Sequence, residues 1–325
     1  MLLDTPTMYY RAYFAVPESI TAPDGRPVNA VRGTLDFISH LLTQHRPDRL
    51  IACFDADWRP EFRVRLLPSY KAHRVIERAA EPVAAEGELV KAASASVEVV
   101  PDTLTPQVEM LLEVLAAFGI ADGWAPGFEA DDAIAAYAAR HRAGDGGPVD
   151  VVTGDRDMFQ LISDAQQVRV FNIARGVAKL EVLDDVQLAG KYGVTGAQYA
   201  DFATLRGDPS DGLPGVAGIG EKTAAALLAT YGSLDALRAA AADPDSADLK
   251  PAVRKRLTEA AEYLAIAPEV VRVRADAEVT PVSPALPGTP EHPEVLEELA
   301  ARYGLTGPVK RLTMALAAGA AGSGV

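Results

Sequence analysis

Cysteine is almost absent from this chain: among 325 residues there is one, Cys53. A disulfide framework within the chain and any multi-thiolate zinc site are thereby excluded. Cys53 lies in the apolar run Leu50-Ile51-Ala52-Cys53-Phe54 and reads as a small buried core residue. Histidine is scarce as well: His40, His45, His73, His141 and His292 sit mostly in polar stretches, and no Ser/His/Asp constellation emerges. No apolar run approaches the ~18 residues of a membrane span, and no basic segment followed by a long apolar stretch opens the chain. The expected location is cytoplasmic. Basic residues are outnumbered, 31 against 45 acids, for a net charge of −14. Taken alone, that balance disfavours a polyanionic partner. Acids that bind divalent cations act as ligands rather than repulsive surface, however, and basic side chains gathered in one groove still steer phosphate. Net charge therefore excludes nothing here.

What is present is an apolar fraction of 49%, enough for a sizeable core. Three short apolar runs, Met1–Leu3, Arg49–Phe54 and Val149–Thr153, read as buried parallel strands. Helical patterns at about 30–44, 106–118 and 129–142 fall between them, so an α/β domain with a mostly parallel central sheet is expected over 1–184. Gln167–Asn172 and Lys179–Leu183 read as an edge hairpin. From about Asp184 the texture becomes helical (185–192, 195–206, 221–231, 233–241, 251–266), which predicts a second, all-helical module over 185–290. A proline-studded wrap at 275–292 leads to a helix near 293–303. The final Ala317–Val325 is a small-residue tail expected to be disordered, so 291–325 reads as a helix plus flexible tail. Glu77–Thr105, rich in Ala, Glu and Val without clean periodicity, reads as a mobile insertion.

Each of the three strands runs into aspartate: Asp4, Asp55, and the pair Asp155 and Asp157 in Thr153-Gly154-Asp155-Arg156-Asp157. Ligands of open α/β sheets bind beyond the carboxyl ends of parallel strands. A fourth contribution comes from Gly127-Phe128-Glu129-Ala130-Asp131-Asp132 at a helix start, where Glu129 and Asp132 share one face. Singly, such acids are common N-caps, first-turn dipole partners or turn residues. Together they would repel one another at one edge unless cations neutralise them. An all-carboxylate set without His or Cys suits Mg²⁺ or Mn²⁺. Two such ions about 4 Å apart serve in-line phosphoryl displacement.

The segment Arg206-Gly207-Asp208-Pro209-Ser210-Asp211-Gly212-Leu213-Pro214-Gly215-Val216-Ala217-Gly218-Ile219-Gly220-Glu221-Lys222-Thr223 is the most specific in the chain. Gly215, Gly218 and Gly220 are expected to allow a tight turn and close approach of backbone to a ligand. Lys222 and Thr223 open the next helix, whose N–H groups and dipole favour an incoming phosphate. The pattern resembles a helix–hairpin–helix, which grips the DNA backbone without reading bases. A P-loop is excluded by the extra Glu221 and the lack of a preceding strand, and a dinucleotide fingerprint by spacing. Asp208 and Asp211 would add two carboxylates where the helical module meets the metal edge.

Between positions 58 and 78 there are six Lys/Arg and two acids, interleaved with Trp58, Phe62 and Tyr70. Aromatics among cations suit single-stranded or frayed nucleic acid; a solvated basic helix is the plainer reading. Because the stretch follows Asp55, it emerges at the metal edge.

In this order, and above all in Gly127–Asp132, Thr153–Asp157 and Gly207–Thr223, the segments resemble the flap-endonuclease-like 5′ nuclease family, which includes stand-alone bacterial 5′-3′ exonucleases and the 5′ nuclease domain of DNA polymerase I. The resemblance spans roughly residues 1–290. It implies a PIN-like nuclease domain with a helical arch and insertion at about 58–105, plus an H3TH-type helix-hairpin-helix module. It further implies metal ligation, direct or through water, by Asp4, Asp55, Glu129, Asp131, Asp132, Asp155, Asp157, Asp208 and Asp211. Lys71 and Arg74 would contact the scissile region, Tyr70 would stack a base, Arg63 would contact a phosphate, and the hairpin would hold duplex DNA, in such families often with K⁺. No membrane, no nucleotide cofactor and a monomeric state are expected. The chain departs from the family's usual Gly-Asn-Ser after the first aspartate, reading Thr5-Pro6-Thr7, and residues 77–103 look longer than a typical arch connection. Two other functions remain at this stage: a non-catalytic DNA-junction binder and an RNA-cleaving PIN-type nuclease.

Overall fold

The computed structural model describes residues 1–77, 96–98, 101–144, 146–244, 246 and 249–322. Strand β1 (Leu2–Asp4) passes directly into helix α1 (Thr5–Ala15), which the sequence reading left unassigned. The local cause is plain in retrospect. Asp4 caps the helix by accepting from the Thr7 N–H at 3.1 Å. Pro6 sits in the first turn, where a missing N–H costs nothing.

The chain continues through α2 (Asn29–His45), β2 (Ile51–Cys53) and α3 (Glu61–Leu66). Short strands β3 (Val75–Glu77) and β4 (Ser96–Glu98) then pair antiparallel. Most of the insertion expected over Glu77–Thr105 lies outside the described residues. Next come α4 (Thr105–Phe118), β5 (Ala121–Gly123), α5 (Ala130–Ala143), β6 (Val149–Thr153), β7 (Val168–Asn172) and β8 (Glu181–Leu183).

The main sheet has six strands in the order β5-β2-β1-β6-β7-β8; the first five run parallel and β8 closes the edge antiparallel. The expected β7–β8 hairpin is there, but β7 also pairs with β6, so of these two strands β8 is the one at a sheet edge. Strand β5 was not foreseen: Ala121-Asp122-Gly123 carries no β-branched residue and owes its conformation to pairing with β2. Register places Leu2 opposite both Ile51 and Val151, so Asp4, the exit of β2 and the exit of β6 leave the sheet at one edge.

Strand residues alternate between two cores, as a period of two demands. Leu2, Ile51 and Val151 face α5 and the helical module; Leu3, Ala52 and Val152 face α2 and α4. Cys53 is fully buried in the first of these cores. The helical module consists of α6 (Asp185–Tyr192), α7 (Gly196–Arg206), α8 (Glu221–Tyr231), α9 (Leu234–Ala242), α10 (Pro251–Glu259) and α11 (Ala261–Val271). The single helix expected over 251–266 is interrupted at Ala260. The wrap at 275–292 is tied down by Leu50 N–H donating to Pro284 O and Tyr137 Oη donating to Thr280 O.

The end of the chain differs from expectation. After α12 (Pro293–Arg302), α13 (Thr306–Gly322) is helical to Gly322 rather than disordered from Ala317. The reason lies one turn earlier, where Leu312, Ala315 and Leu316 form an apolar stripe buried in the same core as α2, with Arg311 paired to Asp36 at 2.7 Å. Among the described residues, no helix is long and apolar enough to cross a membrane.

Candidate metal centre and nucleic-acid interface

At the carboxyl edge of the sheet lies a cavity of about 550 Å³ whose wall includes Asp4, Asp55, Glu129, Asp131 and Asp155. Each acid arrives from a different element. Asp4 ends β1 and is buried; besides capping α1 it accepts from Thr153 Oγ1 at 2.5 Å, which locks the end of β1 to the end of β6. Asp55 follows β2 and accepts from the Ala130 N–H at 2.8 Å. Glu129 is the N-cap of α5, and Asp131 lies in that helix's first turn. Asp155 leaves β6 and accepts from the Asp157 N–H at 2.8 Å.

Asp157, Asp208 and Asp211 gather beside this pocket, close enough for their charges to act on one another. Enclosure by protein, followed by mutual repulsion, raises Asp131 and Asp157 well above the ordinary carboxylate range. Enclosure and then Glu129 push Asp55 up to about 7. Asp4, Asp155 and Asp211 move in the same direction, again with enclosure first. Asp155 itself stands exposed at the mouth of the pocket.

Do these residues fit divalent cations? Among the described residues, no three His, Cys, Asp or Glu side chains are already drawn together as a metal-holding group. The donor set is all oxygen, which suits a hard cation. Asp157 Oδ1 is buried with no hydrogen-bond partner, an orphan acceptor of the kind a cation or its water would satisfy. The residues fit.

Asp132 is the exception among the nine expected ligands. It is fully buried and turned away from the pocket, holding Arg63 through two hydrogen bonds of 2.6 and 2.7 Å. It also accepts from the Glu129 and Arg274 N–H groups. Its oxygens are spent on structure. Arg63 is corrected with it: at 2% exposure, with Nε donating to Val270 O, it cannot reach a phosphate. Tyr70 is corrected as well. Its ring is 3% exposed and its hydroxyl donates to Glu129 Oε1 at 2.7 Å, so it orients a pocket carboxylate rather than stacking on a base. Helix spacing alone could not tell an inward acid from an outward one in the first turn of α5.

Lys71 and Arg74, by contrast, line the pocket. Lys71 Nζ donates to Glu129 Oε2 at 2.8 Å, and Arg74 reaches Ser210 O at 2.9 Å and Asp211 Oδ1 at 3.3 Å. The backbone of this segment docks on the hairpin loop, with Lys71 N–H donating to Asp211 O. Sequence reasoning missed α1, which contributes Tyr10, Arg11 and Phe14 to the wall. Arg11 has a buried Nε without a hydrogen-bond partner, and Phe14 is 74% exposed. The signal that could have found them was the Asp4-Thr5-Pro6 helix start, which places the next two turns over the edge.

The glycine hairpin needs its glycines unequally. Gly215 (φ +66°) would bring a Cβ within 2.5 Å of Arg206 O, and Gly218 (φ +74°) would bring one against the Arg256 guanidinium. Gly220 has an ordinary φ of −92° and open space around it, so neither strain nor crowding requires glycine there. It is the N-cap of α8, with no side-chain cap, followed by exposed Lys222 and half-buried Thr223.

Residues 1–193 match the family model described as 5′-3′ exonuclease, N-terminal resolvase-like domain, and residues 194–291 that described as 5′-3′ exonuclease, C-terminal SAM fold. The chain belongs to the 5′-3′ exonuclease family. It is 56% identical over 98% of its length to all of a Streptomyces coelicolor protein named 5′-3′ exonuclease, and 50% identical over 97% of each chain to a Mycobacterium tuberculosis protein of the same name. A DNA polymerase I from Mycobacterium tuberculosis is 39% identical over 84% of this chain, but only over 28% of its own length. In fold, this exonuclease-family chain is similar to the T5 D15 protein co-crystallized with metal ions (TM-score 0.59, 17% identity, 98% of each chain). It is also similar to the catalytic core of Rad2 in complex with DNA substrate (TM-score 0.58, 17% identity, 98% of this chain and 91% of that one).

Proposed function

We propose that this 5′-3′ exonuclease-family nuclease is structure-selective, cutting DNA at 5′ flaps and free 5′ ends with divalent metal ions, in replication and repair. The observation that carries this reading is the meeting of two carboxylate groups at one sheet edge. Asp4, Asp55, Glu129, Asp131 and Asp155 line the pocket, Asp157, Asp208 and Asp211 lie beside it, and the glycine hairpin shares the last two.

Mg²⁺ or Mn²⁺, when bound, would lower the pKa of a water and offset charge on the phosphate oxygens. The chain's own side chains do the rest. Tyr70 and Lys71 hold the Glu129 carboxylate in place. Lys71, Arg74 and Arg11 put positive charge on the wall of the pocket that a phosphate would enter. The free N–H groups and dipole at the start of α8 offer a phosphate site on the duplex side. K⁺ at the hairpin belongs to the same reading.

The test is a labelled 5′-flap duplex incubated with Mn²⁺, then with chelator, alongside an RNA flap. Asp131→Asn is expected to lose at least ~10³-fold in single-turnover rate while binding the flap within about threefold of the parent. Full cutting by that variant would defeat the reading. A protein that shifts the flap but never cuts it would be a junction binder, and preference for RNA would mark the third alternative.

A further inference from the structure

One charged contact crosses from the metal edge to the hairpin, and nothing above uses it. Glu221 is the first residue of α8, immediately after the hairpin glycines. Its Oε1 accepts from Arg156 NH2 at 2.7 Å and lies 3.6 Å from Arg206 NH1. Arg156 stands between the acids Asp155 and Asp157 on the sheet side. Arg206 ends α7, and its other terminal nitrogen donates to Asp208 Oδ2 at 3.0 Å. The two guanidiniums are held from behind as well: Arg156 Nε reaches Tyr199 Oη at 3.3 Å with its charge over the Tyr192 ring, and Arg206 Nε donates to Gly207 O at 2.9 Å. One carboxylate at the start of α8 is thus tied to an arginine next to Asp157 in the chain and to an arginine bonded to Asp208.

We propose that Glu221 is a positioning residue that fixes the register between the hairpin and the carboxylate edge, and so determines which phosphodiester is cut. The inference rests on the reading that the hairpin carries duplex DNA. Two considerations favour register over stability. The pair is partly exposed, Arg156 at 40% and Glu221 at 52%, and exposed ion pairs contribute little to folding. The modules are already joined by the ring cluster of Phe159, Tyr192, Tyr199 and Phe202. Successive phosphates of one strand are displaced by only about 3.4 Å along the duplex axis, and a shift of about 1 Å at a reacting centre costs up to ~10²-fold in rate. A small rocking of the hairpin about that ring cluster therefore moves the scissile bond without unfolding anything.

The experiment maps product ends at nucleotide resolution on a 5′-flap duplex in Mg²⁺, for the parent chain, Glu221→Gln, Arg156→Met and the double variant, with flap affinity measured in chelator. Each single variant is expected to keep its flap Kd within about threefold, to lose roughly 10- to 100-fold in single-turnover rate, and to spread its cuts to neighbouring phosphodiesters. The double variant is expected to be no worse than the worse single one, because both act through one contact. A single sharp cut at the parental rate in the variants would overturn the inference. So would a loss of affinity as large as the loss of rate, which would make these residues direct DNA contacts. A parent chain that fails to bind or cut flap DNA would overturn the functional reading and this inference together.

Discussion

Lys71 donates to Glu129 Oε2 at 2.8 Å while Tyr70 donates to Oε1 at 2.7 Å, so adjacent residues of the basic-aromatic stretch hold both oxygens of one pocket carboxylate. The ammonium is 12% exposed and its pKa is raised: burial opposes this, but the charges of Glu129 and Asp211 outweigh it. In the metal-free protein Lys71 is thus the counter-charge of Glu129. Lys71→Met is expected to lower single-turnover cleavage at saturating Mg²⁺ by about 10²-fold or more, yet to bind Mn²⁺ no more weakly than the parent. Titration by Mn²⁺ electron paramagnetic resonance beside quenched-flow cleavage separates the two. Weakened Mn²⁺ binding would contradict this assignment of the ion pair.

Arg63 and Asp132 form a buried bidentate pair, and breaking one side strands a charge. Arg63→Met is expected to destabilise the fold by about 3–5 kcal/mol, read as a fall in the chemical-denaturation midpoint. If Arg63 touched phosphate instead, stability would hold and the salt dependence of DNA binding would flatten.

The raised pocket carboxylates set the pH dependence of the metal-free protein. Asp55 titrates near 7 in the fold against about 3.9 in an unfolded chain. Between those values the folded state binds the extra proton, so stability is greatest at the low end of that window and falls as pH rises through it. A decrease in melting temperature on the order of 5 °C from pH 5 to pH 7.5 in chelator is expected, with Mg²⁺ abolishing most of it. A melting temperature that rises across this range in chelator would refute the placement of these acids.

The hairpin glycines divide by cause. Gly215→Ala is expected to cost at least ~1–3 kcal/mol, since it forces a Cβ into Arg206 O at a left-handed φ. Gly220→Ala, with ordinary φ and empty surroundings, is expected to change stability by under ~1 kcal/mol. Thermal melts of the two variants check both. Equal losses would mean that the hairpin is not held as described.

Much of the site was legible because its physics is local. The stop of each apolar run at Asp4, Asp55 and Thr153-Gly154-Asp155 marked strand ends, and parallel pairing leaves those ends little choice but to share an edge. The helices of the second module were legible from periodicity and glycine stops, as at α6, which spans Asp185–Tyr192 before Gly193 at φ +75°. Helix α1 was missed because its four aromatics blur any polar–apolar period, although its cap was written in Asp4 and Pro6. The tail was misread because small residues look structureless until an apolar stripe finds a partner, and that partner, α2, lies nearly three hundred positions earlier.

By itself the sequence determined the inventory: which acids, glycines and cations exist, and at which strand ends and helix starts they stand. Only the tertiary structure decided which way each one points. Asp131 and Asp132 are neighbours with the same chemistry, yet a helical turn sends one into the pocket and the other into Arg63, a partner 69 residues away. Spacing along a chain fixes the angle between two side chains; it does not say which of them the rest of the fold will bury.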